Sequence, residues 1–283
     1  MALTTNDIQK DIERAVQLAL EEDIGSGDIT AELIPANQVS SASVITREDC
    51  IVCGQAWFDE TFKQLGGIEK IEWLVNDGDF AQANTTLVKL QGSSRILLTG
   101  ERTALNFLQL LSGTATAARE YAKLVADTNI KVLDTRKTIP GLRSAQKYAV
   151  TVGGCQNHRI GLYDAFLIKE NHIAACGGIS KAVTKARELY PDKKVEVEVE
   201  NLEELKEAIE CQVDVVMLDN FTKEQLQIAS SMPHAGVEYE VSGNIDSNSI
   251  GGLLECRIDF VSSGALTKNV RAVDLSMKTI SGL

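Results

Sequence analysis

The chain has 283 residues, of which 44% are apolar and 24% are charged, as in ordinary globular proteins. Its formal charge of −12 argues against nucleic acid as a partner, because such binding needs a broad basic surface. No apolar run approaches the roughly 20 residues that span a bilayer, and the acidic amphipathic N-terminus does not resemble a signal peptide. We therefore expect a cytoplasmic protein without a membrane segment.

The six cysteines are scattered and form no disulfide-like framework. Only Cys50 and Cys53 make a C-x-x-C pair, and neither a second pair nor a histidine follows at zinc spacing. We expect both to be free thiols in a strand.

The first 110 or so residues mix helical and strand-like patterns. A helix is predicted at about 6–22, and three alternating runs follow: SASVITRE, IEWLVNDGDF and TTLVKLQGSS. This mixture predicts an α+β domain over 1–112. A second helix is expected from Thr99 to about Ala126, with an interior break at Ser112-Gly113.

After residue 130 strands and helices alternate regularly, which is typical of parallel sheets with crossover helices. The predicted strands are 131–137, 164–169, 194–200, 213–219, 237–242 and 258–263, and the predicted helices are 141–152, 179–190, 202–211, 222–231 and 246–255. This rhythm predicts an incomplete (β/α) barrel over 113–269. A doubly wound open sheet is the alternative, but no G-x-G-x-x-G follows its first strand.

The stretch KVEVEVE at 194–200 alternates valines with three glutamates. Strict alternation predicts a strand with one apolar face and one acidic face. Inside a barrel, three like charges on one face require cations nearby. The region 131–172 supplies them, because it holds seven Lys or Arg against three Asp or Glu.

Polar residues gather where the predicted strands end, which is where (β/α) barrels carry their chemistry. Five of them are candidate anion-binding groups: Arg136, Lys137, His158, Arg159 and Lys169. We expect His172 and His234 to be structural.

The remaining strand ends suit a metal and a phosphate. Glu198 and Asp219 offer oxygen ligands of the kind that Mg²⁺ prefers when it is shared with substrate phosphates. The turns Ser242-Gly243-Asn244 and Ser263-Gly264-Ala265 can direct backbone N–H groups at a phosphate, a usual site in barrels.

Several motifs together closely resemble the quinolinate phosphoribosyltransferase family. They are EEDIGSGDIT (21–30), GERTALNFLQLLSGTAT (100–116), DTRKTIPGLR (134–143), KYAVTVGGCQNHRIGLYDAFLIKENHI (147–173), EVEVEN (196–201), MLDNF (217–221), SGNI (242–245) and SSGALTK (262–268). The resemblance implies an N-terminal α+β sandwich domain followed by an incomplete (β/α) barrel, with the tail 270–283 packing back on the first domain.

The resemblance also implies an activity. Members of this family transfer the phosphoribosyl group of phosphoribosyl pyrophosphate (PRPP) to quinolinate with decarboxylation, using Mg²⁺, to give nicotinate mononucleotide for NAD synthesis. They work as homodimers or as assemblies of dimers. Arg102 matches an arginine that the neighbouring subunit donates to the site.

Site roles follow position by position from the same resemblance. The residues that match those holding the quinolinate carboxylates are Arg136, His158, Arg159 and Lys169, with Arg102 of the partner. Thr135 belongs to the same substrate-binding motif, and Lys137 matches a lysine at the diphosphate of PRPP. Glu198 and Asp219 match the groups at the ribose hydroxyls and Mg²⁺, and the two glycine turns match the loops at the 5′-phosphate. Lys137, Lys169, Glu198 and Asp219 are the expected catalytic residues.

The chain departs from the family pattern at Cys155 and Asn244, where the family usually has glycine. Asparagine tolerates positive φ better than other non-glycine residues, so we expect the turn at 244 to form.

Three other functions stay open: a phosphoribosyltransferase for nicotinate that releases no CO₂, a class I aldolase with Lys169 as its Schiff-base residue, and a non-catalytic phosphosugar-binding homologue.

Overall fold

The computed structural model describes residues 3–234, 236–247 and 249–281. Its strands are β1 Val39–Thr46, β2 Cys50–Ile51, β3 Lys70–Trp73, β4 Phe80–Ala81, β5 Thr86–Ser93, β6 Lys131–Leu133, β7 Phe166–Ile168, β8 Val195–Val199, β9 Val215–Asp219, β10 Glu238–Ser242, β11 Phe260–Ser262 and β12 Leu275–Ser281. Its helices are α1 Gln9–Ile24, α2 Gln55–Gln64, α3 Ser94–Leu124, α4 Arg143–Gly153, α5 Glu170–Cys176, α6 Ile179–Leu189, α7 Leu202–Glu210, α8 Lys223–Ser231 and α9 Ala265–Lys268.

The chain divides into two compact units. The first contains the chain up to Arg119, the segment Thr138–Gly154 and the segment from Asn269 onward. The second contains Glu120–Lys137 and Cys155–Lys268.

The first unit is an α+β structure built on a 4-stranded sheet in the order β12-β1-β5-β3. The pairings are antiparallel, and β12, which comes from the C-terminal tail, lies beside β1. Alternating residues of β1 and β5 are buried against α2 and α3, where Phe58, Phe62 and Leu105 contribute to one core cluster. The tail therefore completes the sheet of the first unit.

Helix α1 has one apolar stripe. Ile12, Val16 and Leu20 recur every four residues and are buried, as an amphipathic helix requires. They pack with Trp57 and Leu111 in a second core cluster of the first unit.

Helix α3 runs without interruption from Ser94 to Leu124, so the expected break at Ser112-Gly113 is wrong. Gly113 serves close packing instead: a Cβ there would lie 2.1 Å from the backbone oxygen of Arg271. Ser112 is also buried, and its hydroxyl accepts a hydrogen bond from the N–H of Cys53. These small residues are explained by tertiary contacts and not by a break in the helix.

The second unit is a parallel 6-stranded sheet in the order β6-β11-β10-β9-β8-β7. The strands follow chain order around the sheet, with β6 and β7 at its two edges, which is the arrangement of an open (β/α) barrel and not of a doubly wound sheet. Beside β6, Gln156 forms a single parallel bridge with Leu133. The predicted fold class is confirmed.

Strand β8 is shorter than the predicted 194–200. The three valines are buried, but Glu200 lies beyond the strand and is exposed. Its N–H donates to Glu204, and the side chain of Asn201 caps α7. The strand therefore carries two carboxylates, Glu196 and Glu198, and not three.

Three helical segments of the second unit differ from the prediction. The short helices α5 and α9 were not predicted, and among the described residues of 246–255 the helix is a 3-10 turn, Ile250–Leu253. Gly251 and Gly252 occupy that turn, and glycine is a poor residue for a longer helix. Within the described ranges, no helix has the length and apolar character needed to cross a membrane.

Candidate active site

A cavity of about 590 Å³ lies among residues at and after the carboxyl ends of the second unit's strands. This is where barrel chemistry was expected. Predicted site residues that line it are Thr135, Arg136, Lys137, His158, Arg159, Lys169, Glu198, Asp219, Ser242, Gly243 and Asn244. Residues separated by more than 100 positions in the chain thus share one cavity.

Two guanidinium groups form one cationic part of the cavity. Arg136 follows β6, and Arg159 comes from the loop that precedes β7. Burial, together with the nearby charge of Arg136, lowers the pKa of Arg159. Among the described residues, the Nε atoms of both arginines are buried and have no hydrogen-bond partner. Paired arginines with unused donors suit a ligand that carries carboxylates.

Lys169 lies between β7 and α5 and forms an ion pair with Glu198. Its backbone N–H donates to Nδ1 of His172, which gives that histidine a structural contact. An ion-paired ammonium does not suit Schiff-base chemistry, which needs a free amine, so this contact disfavours the aldolase alternative.

Glu198 and Asp219 come from neighbouring strands. Glu198 in β8 is opposite Met217 in β9, and Asp219 ends β9 two residues further on. Asp219 Oδ2 accepts a hydrogen bond of 2.8 Å from the amide of Asn220. Both carboxylates line the cavity, and their hard oxygens fit a Mg²⁺ ion held jointly with substrate phosphates.

The turn after β10 contains two successive residues with positive φ. Gly243 has φ +108° and Asn244 has φ +48°, so asparagine takes up the left-handed conformation that its position requires. A Cβ on Gly243 would lie 2.3 Å from Oδ1 of Asn220, so no larger residue fits. Ser242, Gly243 and Asn244 all line the cavity.

The turn after β11 does not line the cavity. Ser263, Gly264 and Ala265 were expected at the phosphate, but they are not among the cavity-lining residues. The Ser263 side chain is buried and donates to the carbonyl oxygen of Ile245 at 2.6 Å. A Cβ on Gly264 would lie 2.7 Å from Cδ of Lys137. These residues thus contact the neighbouring loops that do line the cavity.

His158 lines the cavity, but its ring nitrogens contact protein atoms. Nε2 lies 2.9 Å from Oε2 of Glu196 and 3.4 Å from Oε2 of Glu240. Nδ1 accepts a hydrogen bond of 2.7 Å from the backbone N–H of Arg159. Asp134, which is fully buried, accepts from the backbone N–H of His158.

The contacts of His158 favour different protonation states. Burial lowers the pKa of His158, whereas the hydrogen bonds to Glu196 and Glu240 raise it. The N–H of Arg159 donates to Nδ1 and leaves no room for a hydrogen there, so we place the ring proton on Nε2. Burial, followed by the charge of Glu240, raises the pKa of Glu196.

Sequence reasoning did not assign Glu196, Asn220 or Glu240 to the site. Glu240 and Asn220 line the cavity, and Glu196 contacts His158 from below the lining. One signal was available for Glu240: in a strand, it lies on the same face as Ser242, two residues on.

Arg102 belongs to the first unit, where it is exposed on α3. Its expected contribution across a subunit interface stays a prediction.

Known proteins match this chain over most of its length. The family model for the N-terminal domain of quinolinate phosphoribosyl transferase matches residues 28–112, and the model for the C-terminal domain matches residues 114–278. A probable nicotinate-nucleotide pyrophosphorylase (carboxylating) of Bacillus subtilis is 40% identical over 259 residues, covering 90% of this chain and 89% of that protein.

Similar proteins also occur in plants and among proteins of solved structure. A mitochondrial quinolinate phosphoribosyltransferase (decarboxylating) of Nicotiana glauca is 37% identical over 95% of this chain and 82% of its own. The structure of the nicotinate-nucleotide pyrophosphorylase from Francisella tularensis is 51% identical, covers 95% of this chain and 96% of that one, and superposes with a TM-score of 0.92. The chain therefore belongs to the quinolinate phosphoribosyltransferase family.

Proposed function

We propose that this chain transfers the phosphoribosyl group of PRPP to the ring nitrogen of quinolinate and releases CO₂. The products are nicotinate mononucleotide, pyrophosphate and CO₂, and the reaction supplies NAD synthesis. One observation carries the proposal: a single cavity holds a cationic group for a diacid and a carboxylate pair for a metal and a sugar.

The cationic group binds and orients quinolinate. Arg136 and Arg159 are fork-shaped donors for its two carboxylates, and Lys169 adds a third cation. Nicotinate has one carboxylate, so three cations around one anion would be more than it needs. This count favours the decarboxylating reaction over the nicotinate alternative.

The carboxylate pair serves the sugar. Departure of pyrophosphate leaves positive charge on the ribose, and Glu198 and Asp219 stabilise that charge from fixed positions. A bound Mg²⁺ would be held by the same two side chains and would neutralise the leaving pyrophosphate. Lys137 contributes a cation on the diphosphate side, and the Ser242-Gly243-Asn244 turn presents N–H groups to the 5′-phosphate.

Bond making and breaking balance without an external oxidant. The pyridine nitrogen forms a bond to C1 of the ribose while the bond from C1 to pyrophosphate breaks. The adjacent carboxylate then leaves as CO₂, because the electron pair that remains at the ring carbon is stabilised by the neighbouring N⁺. A proton taken up at that carbon gives nicotinate mononucleotide, and we assign its delivery to Lys169, one of the cavity's cationic groups.

The assembly is part of the proposal. The chain works as a homodimer, or as an assembly of dimers, in which Arg102 of the partner joins the quinolinate site. We place the enzyme in the cytoplasm.

Turnover of two substrates tests the function. The purified chain is incubated with PRPP and Mg²⁺ and with either quinolinate or nicotinate, and nicotinate mononucleotide and CO₂ are measured. We expect product and CO₂ from quinolinate, and little or no product from nicotinate. Preferred turnover of nicotinate would establish the first alternative, and absence of turnover with both would establish the non-catalytic one.

A further inference from the structure

The cluster formed by His158, Glu196 and Glu240 lies beside the proposed quinolinate site and has no role in the chemistry derived above. Their donor atoms lie within 4.8 Å of one another, a spacing that also occurs in metal sites. The 2.9 Å contact between His158 Nε2 and Glu196 Oε2 has the length of a hydrogen bond.

Both nitrogens of His158 are committed to the protein. Nε2–H donates to Glu196, with Glu240 close by, and Nδ1 accepts from the backbone N–H of Arg159. A ring bound in this way has no N–H left with which to contact a substrate carboxylate. His158 therefore differs from Arg136 and Lys169, although all three line the cavity.

The cluster is connected to Arg159 in two ways. His158 holds the Arg159 backbone directly, and the charges of Glu196 and Glu240 act on its guanidinium group. One guanidinium nitrogen of Arg159 also donates to the carbonyl oxygen of Ala165 at 3.2 Å. These hydrogen bonds and the two carboxylate charges together restrict the position of the Arg159 guanidinium group.

The backbone of His158 and the side chain of Asn157 are also held by hydrogen bonds. Asp134, at the end of β6, accepts from the His158 N–H at 2.9 Å and from the Asn157 amide at 2.7 Å. Glu240 is 1% exposed and Glu196 is 6% exposed, so both carboxylates are buried beside His158. Glu196 from β8 and Glu240 from β10 thus contact the imidazole of His158, and Asp134 after β6 holds its backbone.

We propose that His158, Glu196 and Glu240 are positioning residues that orient Arg159 toward quinolinate, and that His158 does not touch the substrate. The proposal rests on the proposed function and assigns a new role within its site. It replaces the expectation that His158 binds a substrate carboxylate.

A double-mutant cycle separates positioning from contact. His158→Asn keeps an acceptor near the position of Nδ1 but loses the donor to Glu196, and we combine it with Arg159→Lys, which retains charge and measurable turnover. The quantity measured is kcat/KM for quinolinate at saturating PRPP. Alone, His158→Asn is expected to lower it by about 10- to 100-fold, because misplacement of a binding group by about 1 Å costs up to that much.

The two models differ in the double variant. If His158 acts through Arg159, adding His158→Asn to Arg159→Lys costs less than about threefold, because the group being positioned is already altered. If His158 binds the substrate itself, the full loss recurs in the Arg159→Lys background, and that result would overturn the proposal.

Variants of the two carboxylates that contact His158 provide an independent test. Glu196→Gln and Glu240→Gln are expected to raise KM for quinolinate by about tenfold while KM for PRPP stays within about twofold. Glu238→Gln is the matched control, because Glu238 lies on the same strand, pairs with Lys194 and does not contact His158. Wild-type KM for quinolinate in both cluster variants would contradict the positioning role.

Failure of this inference is distinct from failure of the proposed function. The wild-type chain must first convert quinolinate, and each variant must unfold within a few degrees of wild type. With both conditions met, the cycle reports only on the part played by His158.

Discussion

At the scale of single residues, Arg136 carries the clearest prediction. Arg136→Ala removes one of the two guanidinium groups at the quinolinate site, and loss of such a preorganised charged contact costs about 3 to 4 kcal/mol, or about 100- to 1,000-fold in turnover. Steady-state rates with quinolinate measure it. Lys131→Ala is the control, since Lys131 is an exposed cation at the start of β6 and Arg136 lies beyond the end of that strand. Near-wild-type turnover of Arg136→Ala would remove the arginine from the site.

Asp219 makes a prediction on the metal side of the cavity. Asp219→Asn keeps the size of the side chain and its contact with Asn220 but removes a charge that Mg²⁺ and the ribose would use. We expect KM for PRPP and the Mg²⁺ concentration for half-maximal rate to rise by about tenfold or more. The affinity for quinolinate, measured by calorimetry, should change little. An unaltered Mg²⁺ requirement would place the metal elsewhere.

At the scale of elements, Gly113 shows why the continuity of α3 could not be predicted from the sequence of the helix alone. The Ser-Gly pair in the sequence indicates a break, because glycine weakens a helix by about 1 kcal/mol. The reason for the glycine is the carbonyl oxygen of Arg271, more than 150 residues away along the chain. No pattern within the helix reports a neighbour at that separation.

Gly113→Ala is therefore expected to destabilise the chain although alanine favours helices. The added Cβ would lie 2.1 Å from the Arg271 oxygen, so the backbone must move, at a cost of about 1 to 3 kcal/mol. Thermal unfolding measures the effect as a fall in Tm. Gly251→Ala is the control, because nothing lies within 4 Å of a Cβ there. Equal Tm values for the two variants would contradict the close approach.

The strands and most helices of the second unit could be predicted from the sequence, since buried parallel strands and crossover helices leave strong patterns. The lining of the cavity by Glu198 and Asp219 followed from their positions at strand ends. The contact of Glu196 and Glu240 with His158 could not be predicted, because it joins three segments whose relative positions depend on the sheet order 6-11-10-9-8-7. Resemblance to a family supplied residue roles that spacing alone left open.

At the scale of the whole molecule, the proposed sharing of Arg102 between subunits has a distinctive consequence. A dimer that joins an Arg102→Ala chain to an Arg136→Ala chain would have one intact site and one doubly altered site. Co-expression with two different tags allows such heterodimers to be purified. We expect them to regain about half of the wild-type activity, although each parent homodimer is weakly active.

The contrary result is equally clear. If Arg102 served the site of its own subunit, every site in the heterodimer would carry one substitution and activity would stay low. Failure to recover any doubly tagged species would show that the chain does not form the proposed dimer.

The central claim is that one cavity couples phosphoribosyl transfer to decarboxylation. The most direct test uses two samples of quinolinate, one with ¹³C in the carboxylate next to the ring nitrogen and one with ¹³C in the other carboxylate, and measures ¹³CO₂ against nicotinate mononucleotide. We expect one ¹³CO₂ for each product molecule from the first sample and none from the second, with no release when PRPP is omitted. Nucleotide formed without ¹³CO₂ from the first sample, or ¹³CO₂ released without PRPP, would contradict it.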